Sequence, residues 1–254
     1  MQIFKLNNVY GKLRYHDLPG RGIPLLFLHG MGCASSCDYP HVASDRALRD
    51  RHRILVDLLG SGFSDRPIEF GYTINDHAKT IAALIKGLGY NKVHLVGHSM
   101  GGSIAIVTAN LCSSKIGCLV LSEPNLDPGG GIFSRPISMQ SEEEYAARGH
   151  EKAVQRALKQ GNDVWASSLS LSLPVAIHRE AVSLVKGSVP SWREQLTTLT
   201  MPRTVLFGEH SLPDPDTDRL LKIGVKVRII PKSGHSMALE NPGGLAQVIN
   251  SSLT

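Results

Sequence analysis

The run Ile23-Pro24-Leu25-Leu26-Phe27-Leu28 carries no polar side chain. A strand wetted on one face alternates apolar and polar residues. A strand without alternation must be covered on both faces, as in a parallel sheet packed between helices. Arg53–Asp57, Val93–Val96, Ile116–Leu121, Thr204–Phe207 and Val225–Ile230 are further strand candidates, and residues 2–6 and 12–16 read as two opening strands around a turn at Tyr10-Gly11. Segments of helical period lie between them. In Thr73–Leu88, the residues Ile74, Ala78, Ile81, Leu84, Ile85 and Leu88 fall on one side, with Thr73 or Asn75 able to cap the start and Gly87 or Gly89 the end. Met100–Leu111 and Pro242–Ser251 are two more such segments. The alternation predicts an α/β protein with a mostly parallel eight-stranded sheet flanked by helices.

The rhythm breaks after Asn125. Asp127-Pro128-Gly129-Gly130-Gly131 makes a turning joint, and helix-like stretches follow at Ser141–Gln160 and Ser167–Val185. Residues 126–199 are therefore expected to form a helical cap inserted into a core made of 1–125 and 200–254. Glu142-Glu143-Glu144 suits the first turn of a cap helix, where acids meet the positive end of the dipole. Trp165 and Trp192 are read as core-packing residues ahead of pocket aromatics.

With 254 residues, 42% hydrophobic and 19% charged, the chain can bury a large core. Its formal net charge is +5, but the basic residues are scattered. The densest run, Arg49, Arg51 and Arg53, is interleaved with Asp50 and followed by Asp57, and reads as a solvated helix end; no nucleic-acid partner is expected. Met1–Asn8 lacks the features of a signal peptide and no apolar stretch is long enough to span a bilayer, so no membrane partner is expected. Cys33, Cys37, Cys112 and Cys118 match no disulfide framework or zinc spacing, and read as buried free thiols of a cytoplasmic protein without a bound metal.

Chemistry concentrates at Gly97-His98-Ser99-Met100-Gly101, between a strand and a helix. A serine at such a corner stands clear of the backbone, and small residues two before and two after let strand and helix crowd together. A serine nucleophile requires a base. His235, in Gly234-His235-Ser236 after the last strand, lies on a loop at the same edge of the sheet; His94 and His98 flank the elbow without reaching back to Ser99. His29-Gly30-Met31-Gly32 follows the strand ending at Leu28, so the Met31 and Met100 backbone N–H groups are the candidate oxyanion donors.

These blocks resemble the α/β-hydrolase superfamily, in its cap-bearing branch of serine esterases. The likeness rests on His29–Gly32, on Asp57-Leu58-Leu59-Gly60-Ser61-Gly62-Phe63-Ser64-Asp65-Arg66-Pro67, on Gly97–Gly101, and on Gly234-His235 with Glu240-Asn241-Pro242. It implies no catalytic role for Asp57, which reads as a turn acid. The triad acid departs from the usual pattern: Gly208-Glu209-His210-Ser211 has serine where an aspartate commonly stands, and Asp214 follows three residues later. Haloalkane dehalogenases place the acid after the strand that follows the elbow helix, where this chain has Glu123. A carboxylate at a buried strand tip needs a partner, and an imidazole N–H would be one. Glu123 is set ahead of Asp214, whose other reading is a cap for a helix at Pro215–Leu221.

The implied activity is hydrolysis of a small-molecule carboxylic ester, lactone or thioester through an acyl-enzyme on Ser99, with His235 and Glu123 completing the catalytic set and no cofactor required. A non-hydrolytic or carbon–carbon-cleaving enzyme on the same scaffold, such as a lyase or a perhydrolase, and a ligand-binding receptor with a slow triad, are the alternatives. A small-molecule ester is the expected partner, and a homodimer is left open.

Overall fold

The computed structural model describes residues 1–6 and 11–253, so the expected turn at Tyr10-Gly11 lies partly outside the described residues. Eight strands form one sheet: β1 (Gln2–Lys5), β2 (Lys12–Leu18), β3 (Arg21–Leu28), β4 (Arg51–Asp57), β5 (Val93–His98), β6 (Ile116–Ser122), β7 (Arg203–Gly208) and β8 (Lys226–Ile230). Their order is β1-β2-β4-β3-β5-β6-β7-β8. The pairs β1–β2 and β2–β4 are antiparallel and the others parallel.

Successive strand side chains point to opposite faces, and two cores result. Leu26, Leu28, Ile54, Val56 and Leu95 pack on one face with the helix Ile74–Gly87 and the elbow helix Met100–Leu111. Leu25, Phe27, Leu55 and Val96 pack on the other with the final helix Pro242–Ser251. Thr73 caps Ile74–Gly87 through a reciprocal box with Asp76. Among the described residues, no helix is long and apolar enough to cross a membrane.

The arginine run differs from its expected form. Arg51 opens β4 rather than closing a helix, and Arg53 is buried, its guanidinium donating to the carbonyls of Ala43, Leu18 and Pro19. Three main-chain acceptors partner its two terminal nitrogens, which the apolar run around it could not do, while its buried Nε has no partner among the described residues. The cysteines are all free, but only Cys118 is buried; Cys37 is exposed and Cys33 and Cys112 are half-buried.

Helices fill the chain between β6 and β7, from Ser134–Ser138 to Trp192–Thr198. The expected helix at Ser167–Val185 is instead two, Asp163–Ser170 and Pro174–Lys186. Pro174 has no N–H to donate and disfavours helical backbone at Leu173, so it starts a new helix. The stretch Glu142–Lys159 is helical but contains a π-helical turn at Tyr145–Gly149. These helices are tied to the loops around the sheet at several points. Leu173 N donates to Gly60 O at 2.8 Å, and Arg179 donates to the carbonyls of Ile68 and Phe70. His77 and Glu180, both fully buried, meet at 3.1 Å. Burial pushes the Glu180 carboxyl up, against the opposing pull of His77.

Candidate active site

Ser99 sits at the corner between β5 and the elbow helix with φ 52° and ψ −120°, a backbone conformation costly for a residue with a side chain. The flanking glycines are required by contact. A methyl group at Gly97 would meet Gly101 O at 2.5 Å, and one at Gly101 would run into the carbonyls of Leu28 and His29. Gly30 approaches from the other side: a methyl there would stand 3.0 Å from His98 Nδ1 and 3.4 Å from Ser99 Cβ. The turn carrying Met31 is thereby laid against the elbow. The Met31 and Met100 amides donate to no main-chain acceptor among the described residues.

Glu123 follows β6 and also has positive φ, 41°. Its Oε1 accepts from Gly208 N at 2.9 Å and its Oε2 from His235 Nδ1 at 2.6 Å. Burial acts to raise the Glu123 carboxyl, but the bonds from His235 and Gly208 and the nearby Ser211 side chain outweigh it and hold the group below its ordinary value. With Nδ1–H committed to a carboxylate, His235 keeps the Nε2 lone pair free. Gly208 matters twice, since a side chain there would strike the carbonyls of Ser233 and Gly234 that lead into His235.

Ser99, His235 and Glu123 line one cavity of about 460 Å³, together with Met31, Phe133 and Trp165. The Ser99 hydroxyl makes no hydrogen bond to the His235 ring among the described residues; in ligand-free enzymes such bonds are often long and tighten on binding. Asp214 also lines the cavity, but its Oδ1 accepts from Asp216 N at 2.8 Å, at the start of the helix Asp216–Lys222, and it does not bond to His235. Asp57 accepts from Ser36 N, Ser36 Oγ and Phe63 N, and so ties the short helix Ser35–Asp38 to the loop at Phe63; it does not line the cavity.

Trp165 differs from its expected place, and His98 makes a contact the sequence pattern does not show. Trp165, read as core, is half-buried on the cavity wall, where its Nε1–H donates to Met31 O at 3.1 Å; Trp192 is the one buried in the core. An indole N–H seeks an acceptor, and the carbonyl beside the elbow supplies it. His98, set aside as a base for Ser99, lies beside His235 with ring centroids 4.7 Å apart, and its Nε2–H donates to His235 O at 2.9 Å. Burial, with the neighbouring His235 ring, lowers His98 to about 3, so it remains neutral. The pattern signal for His98 was its adjacency to Ser99; what it touches depends on a loop over a hundred residues away. His98→Ala is expected to lower kcat for the reaction proposed below by about tenfold to a hundredfold, by loosening the His235 loop. Steady-state kinetics with thermal denaturation as a folding control checks this.

Asp38, on the wall of a small neighbouring pocket that also includes Cys33 and His98, is 8% exposed. Burial raises its carboxyl to about 7; Asp57 adds to the rise and a bond from the Cys33 thiol opposes it. The folded state thus holds a proton that the unfolded chain releases near pH 4, so stability falls as pH rises from about 4 to about 7 and is level above. At pH 8 the penalty is of order ~4 kcal/mol. Asp38→Asn is expected to raise Tm at pH 8 and to change it little at pH 4, measured by calorimetry.

The alpha/beta hydrolase family model matches residues 25–248. Haloalkane dehalogenase 2 of Mycobacterium bovis is 30% identical over 178 residues, which are 68% of this chain but only 60% of that relative's length. The fold is similar to that of a thermophilic esterase from Thermogutta terrifontis, with TM-score 0.79 and 21% identity over 100% of this chain and 98% of the other. It is also similar to an esterase from Exiguobacterium antarcticum, with TM-score 0.80 and 20% identity over 96% of each chain. With its serine elbow and β-strand order, the chain belongs to the alpha/beta hydrolase family.

Proposed function

We propose that this protein hydrolyses small-molecule carboxylic esters, lactones or thioesters through an acyl-enzyme on Ser99. The observation that carries this reading is the 2.6 Å bond between His235 Nδ1 and Glu123, made at the wall of the cavity that Ser99 shares. His235 Nε2 takes the hydroxyl proton as Ser99 Oγ bonds to the carbonyl carbon. The displaced electron pair moves to the carbonyl oxygen, where the Met31 and Met100 N–H groups stabilise it. The intermediate collapses, and the departing alcohol or thiol leaves with the proton from His235. Water then attacks the acyl-enzyme with His235 again as base, and the carboxylic acid is released. Glu123 fixes the imidazole tautomer and stabilises the imidazolium in both halves.

The helical insertion serves as the cap. Ile132, Phe133, Trp165 and Leu184 contribute apolar wall to the cavity, suited to holding an acyl or alcohol chain away from water. The similarity to a dehalogenase does not extend to the reaction. A hydroxyl nucleophile paired with an imidazole base is equipped for acyl transfer, and Ser99 supplies no carboxylate for attack on a carbon–halogen bond. A fluorophosphonate probe is expected to modify the protein stoichiometrically at Ser99, mapped by peptide mass spectrometry. Ester turnover by protein that takes up no label, or takes it up at another residue, would overturn the proposal.

A further inference from the structure

Asp214 lines the cavity without belonging to the Glu123–His235 pair. Its neighbours in charge are compensated: Arg193 bonds both Asp127 and Asp216, and Arg219 also reaches Asp216. Asp214 forms no ion pair among the described residues, and its one side-chain bond, from Asp216 N, uses a single oxygen. No lysine or arginine among the described residues lines the cavity. Lys152 and Arg156 line a separate pocket of about 150 Å³ that shares only Ile132, Phe133 and Trp165 with it. The chain as a whole is basic, at +5, yet the fixed charge on the wall of this cavity is negative. The Phe133 and Trp165 rings, 4.9 Å apart, add π surface on that wall, whose faces attract cations and repel anions.

We propose that Asp214 is a specificity-determining residue, whose uncompensated carboxylate makes the site prefer uncharged or ammonium-bearing esters over esters that carry a carboxylate. The inference rests on the reading of Ser99 as an ester-cleaving nucleophile. A charge on the substrate sets the preference through its interaction with a fixed charge at close range, and salt weakens that interaction wherever the cavity is open to solvent.

The experiment uses three p-nitrophenyl esters of equal acyl length, ending in methyl, trimethylammonium and carboxylate groups, each corrected for its spontaneous hydrolysis. For the wild type, kcat/KM for the anionic ester is expected to be on the order of tenfold below that for the neutral one, with the cationic ester at or above the neutral one. Asp214→Asn keeps an oxygen for Asp216 N and is expected to close most of the gap, and Asp214→Ser, a second helix-capping residue, should do the same. Added sodium chloride should narrow the wild-type ratio. A wild-type ratio near one, or the same ratio in the wild type and both variants, overturns the proposal. Loss of neutral-ester hydrolysis in Ser99→Ala, run alongside, keeps the two readings apart. If that variant stays active, the acyl-enzyme reading falls first and takes this one with it; if it is inactive and the ratios do not move, only the role of Asp214 falls.

Discussion

Ser99→Ala is expected to lower kcat for a short-chain p-nitrophenyl ester by at least ~10⁴, with KM changed much less. On the proposed mechanism the hydroxyl is the atom that bonds to the acyl carbon, and alanine offers nothing in its place. The residual rate comes from binding and from the Met31 and Met100 amides, which the substitution leaves untouched. The change is also gentle on the fold. Ser99 N still donates to Ser122 O, and Gly102 N to Ser99 O, because both are main-chain bonds. A variant that binds a substrate-like ketone but turns over no ester is the expected outcome. Equal rates for the variant and the wild type would show that Ser99 is not the nucleophile.

Glu123→Gln is expected to lower kcat by about 10³–10⁴. The reason lies in the second partner of the carboxylate. Gly208 N needs an acceptor at the Oε1 position, 2.9 Å away, so a glutamine there turns its carbonyl oxygen toward Gly208. Its NH2 then faces His235 Nδ1, which must become the acceptor, and the ring proton moves to Nε2. An imidazole protonated at Nε2 cannot take the proton of Ser99. Steady-state kinetics across pH, with nitrogen-15 NMR of the imidazole to read the tautomer, checks both halves. A glutamine variant with near-normal turnover would remove Glu123 from the mechanism.

Much of the architecture was legible because it depends on local chemistry. The elbow helix spans Met100–Leu111 and the last helix Pro242–Ser251, where apolar period, glycine and proline mark the limits. The central strands β3 to β7 follow from runs that are buried for most of their length, whereas β1, β2 and β8, at or next to the sheet edges, carry exposed polar residues. The insertion was less legible. Its helices are polar on one side and apolar on the other wherever they are cut, so periodicity could not show that Pro174 divides one stretch in two, although the proline itself was visible. The burial of Arg53 was hidden for a different reason, since its acceptors are carbonyls at residues 18, 19 and 43, brought to it by the pairing of β2 with β4 and by the packing of the helix Pro40–Ser44.

The sequence by itself determined the strand–helix order, the sharp corner at Ser99 and the glycines that corner needs, because each is a matter of a few adjacent residues and their steric limits. The tertiary structure alone decided which carboxylate meets His235, that His98 holds the His235 carbonyl, and that Trp165 faces the cavity. Those outcomes turn on distances between loops carried by different strands. Such distances follow from the twist and order of the whole sheet, which residue types read one stretch at a time do not encode.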